Sequence, residues 1–509
     1  VSSPPPSSPR IAIIGAGFGG ICMAIRLRRA GITSFTVFER GDGIGGVWRD
    51  NTYPGAACDV PSHLYSFSFA PNPAWTRSYA DQREILDYLE RCARDFDVVP
   101  HIRFGTEITA AAFDDAARTW RLTMASGASE EFDVVISACG QLQRPAYPDI
   151  PGRAAFAGES FHSARWNHDT DLDGKDVAVV GTGASAIQFV PRIAERAGRL
   201  RLFQRSPAYV LPKDDRPYSQ AERARFARHP LLLRTSRAAT YLRFESKVVA
   251  FQYLPSLMGP MRAAFLRQLR QRVTDPDLRA RLVPDYTMGC KRILLSNDFY
   301  AALARPNVEL VDQSVRGIEP DGVVTADGTH HRADVLIYGT GFTATDFLAP
   351  MRVTGRNGLD LTTAWRDGAE AHLGITVAGF PNFFLLYGPN TNLGHNSIIY
   401  MLESQIHHVM DAVRRLSAPG RRTLEVRPDA QARFVRRIRK RLKRGVWATG
   451  CDSWYVTASG AQTVNWPGFT WRYRQRTRRL DPRDYTGEVL QSPYSGSPSN
   501  SRDPNSVSS

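Results

Sequence analysis

The chain carries one short design twice, and few folds accommodate both copies. Ile11-Ala-Ile-Ile14 has no polar side chain and empties directly into Gly15-Ala-Gly17-Phe18-Gly-Gly20. The spacing predicts a helix from about Gly19 to Ala30, stopped by Gly31, then a strand Phe35–Phe38 ending at Glu39. Asp176-Val-Ala-Val-Val180 empties in the same way into Gly181-Thr182-Gly183-Ala-Ser185-Ala186, with a second strand at Leu200–Phe203. In such a loop the first glycine makes the turn and the second lets a pyrophosphate approach the backbone. The third lets the helix pack on the strand, a task alanine at 186 also permits. The helix N-terminus then offers unpaired N–H groups to phosphate. A lone glycine loop says little, but strand, glycine turn, helix, strand and terminal acid in order define a dinucleotide-binding unit. The fold class is read as α/β with two Rossmann-like domains.

The two units differ where it matters chemically. Glu39 closes the first and is placed to accept hydrogen bonds from a ribose diol. Gln204-Arg205-Ser206 stands in the equivalent place of the second. An acid there would repel a ribose 2′-phosphate, whereas an arginine binds it through charge-assisted hydrogen bonds. The second site is therefore expected to take NADPH. Between the units lies Phe156-Ala-Gly158-Glu-Ser-Phe-His162-Ser-Ala-Arg-Trp166, read as the joint between two domains.

Each unit also leads into a meander. Glu107–Phe113, Thr119–Met124 and Phe132–Ala138 read as three strands of one, followed by Ser137-Ala-Cys-Gly140. A second, near Ser314–Ile337, again ends in small residues, Gly339-Thr340-Gly341, so the design is internally duplicated. The predicted organisation is an arm at 1–9, a first domain at 10–146, a second at 147–338, a return to the first at 339–480, and a disordered tail at 481–509. Residues 218–287 read as a helical insertion in the second domain. Farther on, Phe384–Tyr387 reads as a buried strand, with Asn396 or Ser397 capping a helix to Leu416. Arg433–Arg444 carries eight basic residues on an amphipathic helix, whose face is read as solvated, with membrane-surface contact as the sharper alternative.

Composition excludes several classes. Net charge is +15, but 59 of the 65 basic residues are arginine, an excess read as evenly spread and compositional. No reader motif accompanies it, so no nucleic-acid partner is expected. Val1–Pro9 lacks the basic and apolar regions of a signal peptide. The uncharged run Ala371–Leu402 is broken by glycines and prolines, so no integral membrane segment is expected. The six cysteines show no CxxC spacing, which reads as reduced thiols in a cytoplasmic enzyme with no metal site.

Taken together, these motifs resemble the flavin-containing monooxygenases, and most closely the type I Baeyer–Villiger monooxygenases. Phe156-x-Gly158-x-x-x-His162-x-x-x-Trp166 matches that family's linker motif, in which tyrosine or phenylalanine at the last place marks N- and S-oxygenating relatives. Asn167 departs from the proline or aspartate usual next. Gly45-Gly46-Val47-Trp48, Tyr53-Pro54-Gly55 and Asp59 match a second signature. The loop Gly388–Asn396 is similar to the 4-hydroxyacetophenone branch. The resemblance implies FAD held by Gly15, Gly17, Phe18, Gly20, Glu39, Gly46, Val47, Trp48, Asp59, Tyr65 and Ile108. It implies NADPH held by Gly181, Thr182, Gly183, Ser185, Ala186, Arg205, Ser206 and Lys291, with Trp454 closing over it. Arg292 and Asp59 would be catalytic: Arg292 stabilises the negative charge that develops when dioxygen adds to reduced flavin, and Asp59 orients it. The implied reaction turns a ketone and O₂ into an ester or lactone. Amine or sulfide oxygenation, and a non-catalytic nucleotide sensor with a basic binding face, are the alternatives.

Overall fold

The computed structural model describes residues 8–420, 423–449, 451, 455–457 and 460–487. Two five-stranded parallel sheets carry the molecule. The first runs Phe383–Leu385, Val134–Ser137, Ile11–Ile14, Phe35–Phe38, Ile102–Arg103; the second runs Val308–Val311, Arg199–Phe203, Asp176–Val180, Val335–Tyr338, Glu159–His162. The central strands are continuous apolar runs because helices cover both faces of a parallel sheet. Ile11–Ile14 and Val134–Ser137 are buried at every position.

The two glycine loops are near copies in backbone geometry. Gly15 sits at φ +106° and Gly181 at φ +105°, a region open to glycine and strained for other residues. A Cβ on Gly20 would come within 1.8 Å of the Gly15 carbonyl oxygen, so the helix Phe18–Arg29 reaches its strand only because that atom is absent. The small residues after each last strand now have a reason. A Cβ on Gly15 would meet Ala138 O at 2.8 Å, and one on Gly181 would meet Gly339 O at 2.6 Å. The duplicated loop and the duplicated strand end are packed as one unit.

Several expectations need correction. The run Phe132–Ala138 does not belong to one strand. Ser129–Phe132 closes the first meander, while Val134–Ser137 crosses into the parallel sheet. Asp133 is the break: its carboxylate accepts from Arg10 N and its own N–H donates to Arg10 O. The second meander ends likewise at His330–Arg332, and Val335–Tyr338 joins the second parallel sheet. The buried strand after Pro381 stops at Leu385, because Tyr387 takes a left-handed φ of +64°. The tail does not begin at 481: Tyr485–Thr486 pairs with Glu425–Val426, and Tyr485 is buried with its hydroxyl bonded to Thr376 and His408. Residues 1–7 of the expected arm, and the tail from 488, lie outside the described residues.

Helices fill the span between Gln220 and Arg281, as the insertion requires. Ser219 opens the first with a capping box to Glu222. Ser397, rather than Asn396, caps Ile398–Leu416, and Pro428–Leu442 is the basic helix. Among the described residues no helix is long and apolar enough to cross a membrane.

Candidate active site

Both glycine loops open into one cavity of about 1090 Å³. Its walls include Gly15, Gly17, Phe18, Glu39, Gly46, Val47, Trp48, Tyr65 and Ile108 from the first unit. From the second come Gly181, Thr182, Gly183, Ser185, Arg205, Ser206 and Lys291, with Asp59 and Arg292 also on the lining. Two expected cofactor residues stand behind the wall. Gly20 and Ala186 are buried under their own loops, Ala186 facing the place where a Gly339 side chain would sit, so both serve packing. Trp454 falls outside the described residues.

The first half of the cavity fits a flavin dinucleotide. Glu39 is buried, and its two carboxylate oxygens accept from Ala16 N and Gly41 N at 2.8 Å each. Each carboxylate oxygen has two acceptor sites, so a diol can still be accepted. Gly45 at φ +137° and Gly46 at φ +55° turn the chain so that Trp48 lies on a short helix, Val47–Asp50. A Cβ on Gly46 would approach the Gly17 Cα at 3.2 Å, and the Gly45 N–H donates to Ala16 O at 3.1 Å, so the two loops touch backbone to backbone. The Trp48 indole N–H donates to the Tyr65 hydroxyl at 3.0 Å, which fixes both rings edge to face.

In the second half, Lys291 Nζ donates to Ser206 Oγ at 3.3 Å and lies over the Tyr286 ring. Arg205, Ser206 and Lys291 therefore converge on one side of the cavity, a donor set suited to a phosphate dianion. Thr182 ties the glycine loop to the same turn through Ser206 O.

At the junction Arg292 meets Asp59. Its Nε and one terminal nitrogen donate to a single Asp59 oxygen, at 3.2 and 2.5 Å, and each side chain is 31% exposed. Burial pushes the Asp59 carboxyl up, and the charges of Arg292 and then Lys213 overcome it, leaving the carboxyl below its ordinary range. The Asp59 charge holds the Arg292 guanidinium firmly protonated. Tyr387 and Tyr455 lie within the same electrostatic neighbourhood, their phenols pushed up by burial and therefore neutral.

Tyr387 is the site residue that sequence reasoning missed. Its backbone is clamped: its N–H donates to Gln405 Oε1, its carbonyl accepts from Gln141 Nε2, and its hydroxyl donates to Asn392 Oδ1 at 2.6 Å. A bulky residue persists at positive φ only where its surroundings over-determine it. Those partners lie 246, 18 and 5 residues away, so the sequence held no signal.

The linker motif lies outside the cavity wall. Glu159–His162 is the edge strand of the second sheet, and Gly158 is needed because a Cβ there would meet Asp334 O at 2.2 Å and the Phe156 ring. His162 is fully buried, its Nδ1 accepting from Ala164 N; desolvation drops it to about 4, so it stays neutral. Trp166 wedges between Phe161 and Phe189, each with ring centroids at 5.2 Å. Asn167, the departure from the motif, accepts from Asp169 N and makes a turn.

The reading of six reduced cysteines is corrected. Cys290 and Cys451 form a disulfide across 161 residues, with Cα atoms 6.3 Å apart. Pairing follows from proximity in space, which spacing along a chain does not reveal. Neither sulfur lines the cavity, so the pair is not placed as a redox dithiol facing a flavin. Among the described residues, one His/acid grouping could hold a cation, Glu319, Asp321 and His330, and it is exposed on the second meander.

Two dinucleotide units opening on one cavity, with a fixed cation where they meet, define a flavoprotein oxidoreductase architecture. A family model described as flavin-binding monooxygenase-like matches residues 8–351, and the chain belongs to that family. It is 48% identical over 478 residues to a Baeyer-Villiger monooxygenase of Streptomyces coelicolor, covering 94% of this chain and 92% of the relative. A solved structure of oxidized steroid monooxygenase bound to NADP superposes with a TM-score of 0.83 at 32% identity, covering 95% of this chain and 100% of that one. A structure of OTEMO in complex with FAD and NADP gives 0.84 at 29% identity, covering 92% and 97%. Within its family the chain groups with the type I Baeyer–Villiger monooxygenases.

Proposed function

We propose that the protein is an FAD- and NADPH-dependent Baeyer–Villiger monooxygenase working in the cytoplasm. It converts a ketone, O₂, NADPH and a proton to an ester or lactone, NADP⁺ and water. The observation that carries this is the Arg292–Asp59 pair, set where the two dinucleotide loops share one cavity. Bound FAD and NADPH supply the hydride transfer and the activation of oxygen.

The chain's own residues do the rest. Glu39, the 15–20 loop and the Trp48–Tyr65 pair hold the flavin dinucleotide. Arg205, Ser206 and Lys291 hold the 2′-phosphate that separates NADPH from NADH. Arg292 is a permanent cation fixed by Asp59, so it meets developing negative charge without reorganising, the condition under which electrostatic stabilisation is largest. Keeping that charge unprotonated favours attack on a carbonyl over transfer of oxygen to an amine or sulfide.

The test is incubation of the purified yellow protein with NADPH, O₂ and a panel of aryl, cyclic and steroidal ketones, with products read by mass spectrometry. Ketone-stimulated NADPH consumption with matching ester is the expected result. Oxygenation of sulfides or amines with no ester from any ketone would place the enzyme with the heteroatom-oxygenating relatives instead.

A further inference from the structure

The positive charge is not evenly spread, contrary to the reading from composition. Residues 220–272 hold eleven Lys and Arg against two acids, and 433–444 hold eight basic residues and no acid. Those two stretches carry more positive charge than the whole chain's excess of fifteen.

They also meet in space. Gln252 Nε2, on the turn Val249–Tyr253 that follows the insertion's helix Pro230–Ser246, donates to Arg441 O on the basic helix at 2.8 Å. Tyr253 stacks on Phe469 at 5.3 Å, Phe469 lies against Trp471, and the Arg472 guanidinium covers both. Beside this aromatic ladder Leu254 is 53% exposed, Leu257 44% and Trp471 39%, well above what a core-seeking side chain shows. Arg437 and Arg441 stand close enough to Arg476 to act on it, and with burial they hold its guanidinium below the ordinary value. Among the described residues, acids pair with Arg433 and Arg439 of the basic run and with none of its other six members.

Exposed leucines and aromatic rings beside a ridge of unneutralised arginines are the two halves of an interfacial site. We propose that the surface built from Tyr253, Leu254, Leu257 and Trp471, with the basic helix Pro428–Leu442 beside it, docks this protein on an anionic lipid surface.

The charge argues for that occupant over others. A second copy would bring the same arginines face to face. Residues 488–509 hold two acids and one arginine, too little to neutralise the ridge. A nucleic acid would satisfy the arginines but leave Leu254 and Leu257 wet. A lipid leaflet takes both, the headgroups on the basic helix and the leucines at the acyl boundary.

The surface is also coupled to the site. Phe251, two residues before Tyr253, lies within van der Waals reach of Gly289 and Gly394, which border Lys291-Arg292 and the loop after Tyr387.

The test is flotation of the full-length holoenzyme with phosphatidylcholine vesicles, with and without phosphatidylglycerol. The protein should float with the anionic vesicles, and raised salt should release it. Leu254→Glu/Leu257→Glu and, separately, Arg437→Glu/Arg441→Glu should each lower partitioning by roughly tenfold or more. Both pairs should leave flavin content and turnover of a water-soluble ketone unchanged, which excludes misfolding as the cause. Three results would overturn the proposal: no partitioning onto anionic vesicles, a dimer in solution abolished by the leucine substitutions, or DNA binding that the arginine pair removes and the leucine pair does not.

Discussion

Arg292 gives two donors to one oxygen of Asp59, so its direction is fixed before any substrate arrives. Removing it takes away the guanidinium that Asp59 fixes at the junction while leaving both dinucleotide loops untouched. Arg292→Ala should therefore keep its flavin and be reduced by NADPH within several-fold of the parent rate. Ester formation should fall by about 10²–10³-fold, the loss typical of one preorganised charge-stabilising donor. Stopped-flow reduction and product analysis on the same preparation separate the steps, and undiminished ester would remove Arg292 from the chemistry. Arg205 belongs to the other half. Arg205→Ala should raise KM for NADPH by about 10–100-fold, the worth of charge-assisted hydrogen bonds, and leave KM for NADH nearly unchanged. An equal rise for both would mean that Arg205 does not meet the 2′-phosphate. Arg292, whose partner Asp59 lies 233 residues away, was reached only through the family resemblance. Arg205 was legible in the sequence because a glycine loop and its flanking acid or arginine act within about 25 residues of each other. Tyr387 was not, since its role depends on a backbone angle that distant glutamines impose.

At the scale of elements, each dinucleotide unit was legible, but the last strand of the first meander was run together with the sheet strand that follows it. The alternation of Glu107–Phe113 and Thr119–Met124 predicts antiparallel pairing correctly, but a run such as Val134–Ser137 fits either sheet by pattern alone. What decides is burial on both faces, which only the assembled helices provide. The Cys290–Cys451 link has the same character. It joins the turn that presents Lys291 and Arg292 to the segment leading to Tyr455, whose charge interaction with Arg292 is part of the site. Thiol titration of the denatured, unreduced protein should count four sulfhydryls, those of Cys22, Cys58, Cys92 and Cys139. Cys451→Ser should lower stability by about 2–4 kcal/mol, because the closed loop restricts the unfolded chain. Six titratable thiols would show that the link does not form.

Across the whole molecule, a set of buried histidines makes stability depend on acidity in a way the active site does not control. Burial holds His63, His162 and His372 down to about 4, and His395 and His408 down to about 3. Each is neutral when folded at pH 6, whereas an unfolded histidine takes up a proton below about 6.5. From pH 6.5 down to about 4 the unfolded state thus binds more protons, and stability falls as pH falls. Below about 4 His63, His162 and His372 protonate in the fold as well and stop contributing, while His395 and His408 continue to about 3. Each group contributes about 1.4 kcal/mol per pH unit within its window. Asp59 adds its own loss only lower, because a carboxyl held below its ordinary value stabilises the fold until pH falls through that lowered value. The expected outcome is a urea midpoint that is flat from pH 8 to 7 and drops steeply between 6 and 5. His408→Gln, which keeps a side chain able to bond the Tyr485 hydroxyl, should remove about one fifth or less of that slope. A midpoint unchanged between pH 7 and 5 would mean that these five histidines find protons in the folded protein after all.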